Sequence, residues 1–253
     1  MRSAYKNIFL SFLKAACAPI PKSLRLMLLK GMIYLESTGS NPKENLKFMF
    51  QVEDSLTCSI DRAAMAYNNG VHPKHRLTGY HDFFIRQLRP GLRILDVGCG
   101  DGTVCWDIMQ QVADIKIVGI DINKNNIEKA KQRYRHPNLL FIHGCAPYDL
   151  PDERFDVAIL SNILEHIKDR EDFLKQLIAK TSPRKILVRV PLFDRHWTIP
   201  MRKELGLPYF SDPTHYVEYT KEDFIVEINH IGLTVEHLEV RWGEIWAALK
   251  VGI

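Results

Sequence analysis

A chain of 253 residues with 46% hydrophobic and 25% charged residues can bury a sizeable core and is neither disordered nor fibrous. A formal net charge of +4 is too mild to mark a nucleic-acid binder, and no apolar run approaches the roughly 20 residues a membrane span needs. Cys17, Cys58, Cys99, Cys105 and Cys145 form no C-x-x-C pair; they signal neither a disulfide framework nor a zinc site and fit free thiols in a reducing cytoplasm.

The N-terminus is basic: Arg2, Lys6, Lys14, Lys22, Arg25 and Lys30 precede the first acidic residue, Glu36, and stand among Leu, Ile and Phe. That pattern fits a packed amphipathic cap, a helix lying on a membrane surface, or an organelle transit peptide. The most apolar stretch, residues 8–20, is interrupted by Lys14 and Pro19. Lys43–Asp54 and Leu77–Leu88 read as helices, separated by the turn formers of Asn68–Pro73. Residues 1–89 are therefore expected to form a helical extension and cap.

From Arg93 onward, short β-branched runs alternate with helical stretches. Strands are expected at Arg93–Val97, Ile115–Ile120, Asn138–His143, Phe155–Leu160 and Lys185–Val190. Helices are expected from Thr103, over Asn123–Arg135, and over Asp169–Ala179, where Phe173, Leu174, Leu177 and Ile178 form one face. Apolar strands alternating with helices imply parallel strands covered on both faces. Thr220 is an N-cap type for a helix over Lys221–Ile231, which Gly232 stops. Leu233–Val240 and Glu244–Leu249 then read as a hairpin joined by Arg241–Gly243, adding one antiparallel strand. Residues 90–253 form the expected α/β domain, with an insertion over residues 191–219.

Ile94–Leu95–Asp96–Val97–Gly98–Cys99–Gly100–Asp101–Gly102 carries the ligand argument. A strand runs into three alternating glycines, where the backbone can turn and a ligand can approach without meeting a Cβ. Asp121 closes the second strand, a position that meets ribose hydroxyls in doubly wound sheets. A dinucleotide site wants G-x-G-x-x-G, which would require glycine at Thr103. The G-x-G-x-G spacing with Asp96 ahead of it favours a ligand with an ammonium group and no pyrophosphate, hence S-adenosylmethionine over NAD.

Three segments resemble the class I S-adenosylmethionine-dependent methyltransferases of the small-molecule branch: Leu95–Gly102, Val118–Asp121 and Phe155–Ile167. The resemblance runs from about Tyr80 to Ile253 and implies a Rossmann-like, mostly parallel seven-stranded sheet with an antiparallel last strand. It also implies site roles. Gly98, Cys99 and Gly100 would border the methionyl and ribose parts, Asp96 the amino end, and Asp121 both ribose hydroxyls. Ile122 would lie against the adenine, with Cys145 and Ala146 at its edge. The family's acidic residue is absent at Cys145, which leaves that contact to backbone groups. Asn162 would lie near the sulfonium and Arg76 at the methionine carboxylate.

The acceptor is less legible. Candidate bases follow the fourth and fifth strands: His166, His196 and His215. No motif demands a metal. The insertion carries Phe193, Trp197, Tyr209, Phe210, Tyr216 and Tyr219 beside Arg195, Arg202 and Lys203, suited to a sugar or aromatic acceptor, or simply to packing a lid. A weaker resemblance to bacterial methyltransferases of glycan assembly makes O-methylation of a small polar acceptor, a sugar or glycan precursor, the leading expectation. A quinone or lipid-like aromatic is the second acceptor, with peripheral membrane contact through the basic N-terminus. A catalytically silent, partner-binding subunit is the third reading. Ser161–Leu164 lacks the Pro-Pro-Tyr-type loop of amino-methylating DNA enzymes, so nucleic acid is not expected as substrate.

Overall fold

The computed structural model describes residues 11–252. Contacts within the chain divide it into two compact units, Met1–Val71 and His72–Ile253.

In the first unit residues 11–17 are helical, followed by α1 (Lys22–Ser37) and α2 (Pro42–Tyr67). Asn41 caps α2 by accepting the Glu44 N–H at 3.4 Å, and Pro42 sits in the first turn, where its missing N–H costs nothing. α2 continues past Asp54 to Tyr67 because residues 55–67 hold no glycine or proline. Asn45 ties the connection by donating to the Gly39 carbonyl at 2.7 Å. α1 buries none of its residues, and Leu24, Leu26, Met27, Leu28, Leu29 and Met32 are exposed. Arg2 and Lys6 lie outside the described residues. No described helix is long and apolar enough to cross a membrane.

The second unit opens with α3 (Lys74–Thr78) and α4 (Tyr80–Arg86). The sequence pattern reads as one helix over Leu77–Leu88; Gly79, left-handed at φ 63°, breaks it. The α/β part follows as β1 (Arg93–Val97), α5 (Thr103–Gln111), β2 (Lys116–Asp121), α6 (Lys124–Arg133), β3 (Leu139–His143), β4 (Val157–Ser161), α7 (Arg170–Thr181) and β5 (Lys185–Pro191). After the insertion, which carries α8 (Thr198–Glu204), come α9 (Lys221–His230), β6 (Leu233–Arg241) and β7 (Glu244–Val251).

The seven strands lie in the order β3-β2-β1-β4-β5-β7-β6, the first five parallel and β7 antiparallel to both neighbours. This is the doubly wound sheet expected, antiparallel strand included. The β6–β7 connection is the two-residue turn Trp242–Gly243, left-handed at both positions (φ 55° and 74°), as tight hairpins require. Alternation along each strand feeds two cores. Leu95, Val97, Leu160 and Val188 pack with Phe173, Leu177 and Phe224 on one face. Ile94, Ile117 and Ile159 pack with Phe83, Phe84, Ile108 and Trp246 on the other.

That second core moves the boundary between the units. Tyr80, Phe83 and Phe84 are buried in it, so α3 and α4 belong to the α/β unit and not to an extension ending at residue 89. The order in which parallel strands are added reverses between β1 and β4, and ligand crevices of such sheets open above the carboxyl ends of those strands.

Candidate active site

Above β1 the chain turns through Gly98, Gly100 and Gly102, all with positive φ (71°, 56° and 80°). Their reasons differ. A Cβ on Gly98 would lie 1.9 Å from Ile163 Cδ1, and one on Gly102 would lie 2.5 Å from the Phe141 ring. A Cβ on Gly100 would meet nothing within 4 Å: the space before this turn is open. The Gly98 and Cys99 N–H groups donate to the Ile120 carbonyl at 2.7 and 3.1 Å, so these donors hold the turn on β2.

Asp121 ends β2. Its Oδ2 accepts the Gly100 N–H at 2.9 Å and its Oδ1 the Asn123 N–H at 2.7 Å. Held on both oxygens, the carboxylate borders a cavity of about 320 Å³ lined by Gly98, Ile122, Cys145, Ala146, Ile163 and His166 among others. Ile122 is 69% exposed at its edge. One fixed carboxylate on a mostly apolar wall, beside bare backbone at Gly100, fits an adenosine: hydroxyl acceptor at one end, apolar slot at the other.

Other expected residues lie elsewhere. Asp96 is buried on the far side of β1, absent from the cavity wall, and accepts a hydrogen bond from Cys105 Sγ at 3.0 Å. Burial pushes its carboxyl up to about 7. Cys99 is buried as well. Of the backbone groups expected to contact the adenine at Cys145 and Ala146, the Cys145 N–H is taken by Asp149 Oδ2 at 2.8 Å. Arg76 is exposed on α3 and is not on the cavity wall.

Asn162 stands just beyond β4 in the left-handed region (φ 57°), where Asn is among the tolerated residues. Its side-chain oxygen accepts from Arg189 Nε at 2.8 Å. Arg189, on β5, is buried, pairs with Glu244 at 3.1 Å, and lies 3.7 Å over the Tyr80 ring. Its Nη1 is buried without a hydrogen-bond partner. Sequence reasoning missed Arg189, although a charge within the apolar run Ile186–Val190 was a visible signal.

The three candidate histidines separate. His196 is exposed and binds locally: its Nδ1 lies 2.8 Å from Thr198 Oγ1 at the start of α8. His166 and His215, far apart in sequence, meet with ring centroids 4.6 Å apart. The Tyr216 N–H donates to the Glu165 carbonyl at 2.7 Å and fastens the insertion to the 3-10 turn Leu164–His166. Glu165 is fully buried against both rings, and neither carboxylate oxygen finds a partner beyond its own backbone. Burial pushes this carboxyl up to about 8. Burial also lowers His166, with the charge of His215 acting the same way.

Glu218 organises this corner. It accepts from the Ser211 N–H at 2.5 Å and hydroxyl at 2.7 Å, pairs with Arg195, and lies 3.0 Å from His215 Nδ1. Burial alone would raise its carboxyl; the Ser211 and Arg195 donors outweigh that and hold it below the ordinary value.

The methyltransferase-domain family profile matches residues 71–238. A ubiquinone biosynthesis O-methyltransferase of Bradyrhizobium diazoefficiens is 33% identical over 168 residues, 60% of this chain and 65% of that enzyme. The fold is shared by a magnesium protoporphyrin IX methyltransferase from Synechocystis PCC 6803 crystallised with SAH (TM-score 0.56, 16% identity, 69% of this chain and 83% of that one). A SAM-dependent methyltransferase from Aquifex aeolicus shares it too (TM-score 0.55, 16% identity, 71% of this chain and 93% of that one). With its glycine turn, its fixed Asp121 and this family match over most of its length, the chain belongs to the class I S-adenosylmethionine-dependent methyltransferases.

Proposed function

We propose that this chain is an S-adenosylmethionine-dependent O-methyltransferase acting on a phenolic hydroxyl of a quinol-like, lipid-bearing aromatic. The observation that carries the reading is adjacency: His166 lines the same cavity as Asp121 and belongs, with His215, to a half-buried corner around the buried Glu165, able to activate a hydroxyl.

When bound, S-adenosylmethionine supplies an electrophilic methyl group on a sulfonium. That methyl would pass to an acceptor oxygen relieved of its proton, with the neutral thioether as leaving group. Asp121 would grip the ribose hydroxyls, and Ile122, Ala146 and Ile163 would enclose the adenine and exclude water. Residues of the Glu165 corner receive the acceptor hydroxyl at the cavity mouth and assist loss of its proton.

The quinol-like acceptor replaces the sugar as leading reading because the relatives matched over 65% of their length are named for ubiquinone biosynthesis. The exposed apolar and basic face of α1 supports an acceptor, or an enzyme, resident at a membrane. The test is methyl transfer from isotopically labelled cofactor to a panel of catechols, prenylated quinols and nucleotide sugars. The reading requires labelled phenolic methyl ethers. Labelled sugars with untouched phenols would return the acceptor to a glycan precursor, and bound cofactor without turnover on any acceptor would favour a silent subunit.

A further inference from the structure

We infer that Glu165, His166 and His215 form a binding site for one divalent transition-metal ion, of the Mn2+, Fe2+ or Zn2+ class, at the mouth of the cofactor cavity. No sequence motif marks this site: its ligands come from two segments that meet only in the fold.

Three observations carry the inference. One ligand atom from each residue lies within 4.8 Å of the others. Ligands about 2.1 Å from a shared ion stand roughly 3–3.5 Å apart, so small side-chain adjustments close the set. Second, Glu165 is wholly buried with both oxygens unpartnered beyond its own backbone. A carboxylate in that state is costly unless a cation faces it.

Third, both rings are held through the nitrogen that would not bind. His215 Nδ1 faces Glu218 at 3.0 Å, and an ionised carboxylate only accepts, so Nδ1 carries the proton. His166 Nδ1 lies 2.9 Å from Thr214 Oγ1, whose single hydroxyl proton goes to Asp212 Oδ1 at 2.5 Å. That hydroxyl must therefore accept from His166 Nδ1. Each ring is left with an Nε2 lone pair, the arrangement found where an outer carboxylate or hydroxyl orients a metal-binding histidine.

Two imidazoles and one carboxylate suit transition ions better than Mg2+ or Ca2+, which prefer all-oxygen sets. Three protein ligands leave coordination positions open, and one of the three, His166, also lines the cofactor cavity. An acceptor hydroxyl bound there loses its proton more readily, and a neighbouring oxygen of a catechol could take a second position. What the ion does for the acceptor rests on the methyl-transfer reading above; whether it binds does not.

The experiment is titration of chelator-stripped full-length protein with Mn2+ followed by electron paramagnetic resonance, and with Zn2+ followed by calorimetry. Saturable binding of one ion per chain is expected, weakened at least tenfold in Glu165→Gln and in His166→Ala. S-adenosylhomocysteine binding in the same samples and thermal unfolding report whether each variant keeps its fold and cofactor site. The inference is overturned if the wild type binds no ion stoichiometrically, or if folded variants bind it as tightly as the wild type. Undiminished methyl transfer by the ion-free protein would also overturn the role given to the ion, while leaving the methyl-transfer reading standing.

Discussion

Gly98 and Ile163 occupy one another's space: a single added carbon on Gly98 would lie 1.9 Å from Ile163 Cδ1. The turn above β1 is thus locked to the loop above β4 by the absence of a side chain. Gly98→Ala should destabilise the protein by about 1–3 kcal/mol, from the clash and the left-handed φ together. Ile163→Ala added to it should restore part of the loss by removing the clash but not the strain. Thermal or urea unfolding of the single and double variants checks both.

Asp96 makes stability depend on pH. Its carboxyl titrates near 3.8 when exposed and near 7 in the folded chain. Between those values the unfolded chain gives up a proton that the native chain keeps, so stability falls as pH rises from about 4 to 7. Asp96→Asn retains an acceptor for Cys105 Sγ and removes this dependence. It should gain on the wild type across that window, by on the order of 2–4 kcal/mol, and level off above it. Urea unfolding at a series of pH values measures the gap.

The histidines rank by position. His215→Ala should lower turnover about a hundredfold or more if the Glu165 corner activates the acceptor. His196→Ala removes only a local contact at the start of α8 and should cost under about 1 kcal/mol of stability with turnover nearly unchanged. Steady-state rates for the two variants, side by side, decide whether the corner or the exposed loop handles the proton.

Much of this was legible in the sequence, because strands and helices of an α/β sheet announce themselves by period and the glycine turn by spacing. Asp121, Ile122, Cys145 and Ala146, three of them singled out by family resemblance, line one cavity together with Gly98. Other features were not local. Gly79 split a helix that periodicity alone would continue. The burial of Tyr80, Phe83 and Phe84 depends on β7 supplying Trp246 far downstream. His215 reaches His166 across a fold-back of the insertion, fastened by the Tyr216 N–H to the Glu165 carbonyl and by Thr214 Oγ1 to His166 Nδ1. Arg76 was placed by its distance from β1, and distance along the chain does not fix direction: it lies exposed.

The first unit makes its own prediction. Lys22, Arg25 and Lys30 on α1, among exposed leucines and methionines, should bring the full-length chain down with vesicles containing phosphatidylglycerol but not with neutral ones. Combined Lys22→Glu, Arg25→Glu and Lys30→Glu replacements should abolish that difference in co-sedimentation. Equal recovery of wild type and variant removes the membrane reading.

Calorimetry with S-adenosylhomocysteine tests the central claim most directly, since it asks only whether the crevice held open beside Asp121 seats an adenosyl group. Saturable binding of one ligand per chain is expected, weakened at least tenfold by Asp121→Ala in protein that unfolds at nearly the wild-type temperature. No binding by the wild type, or equal affinity after Asp121→Ala, would contradict the account.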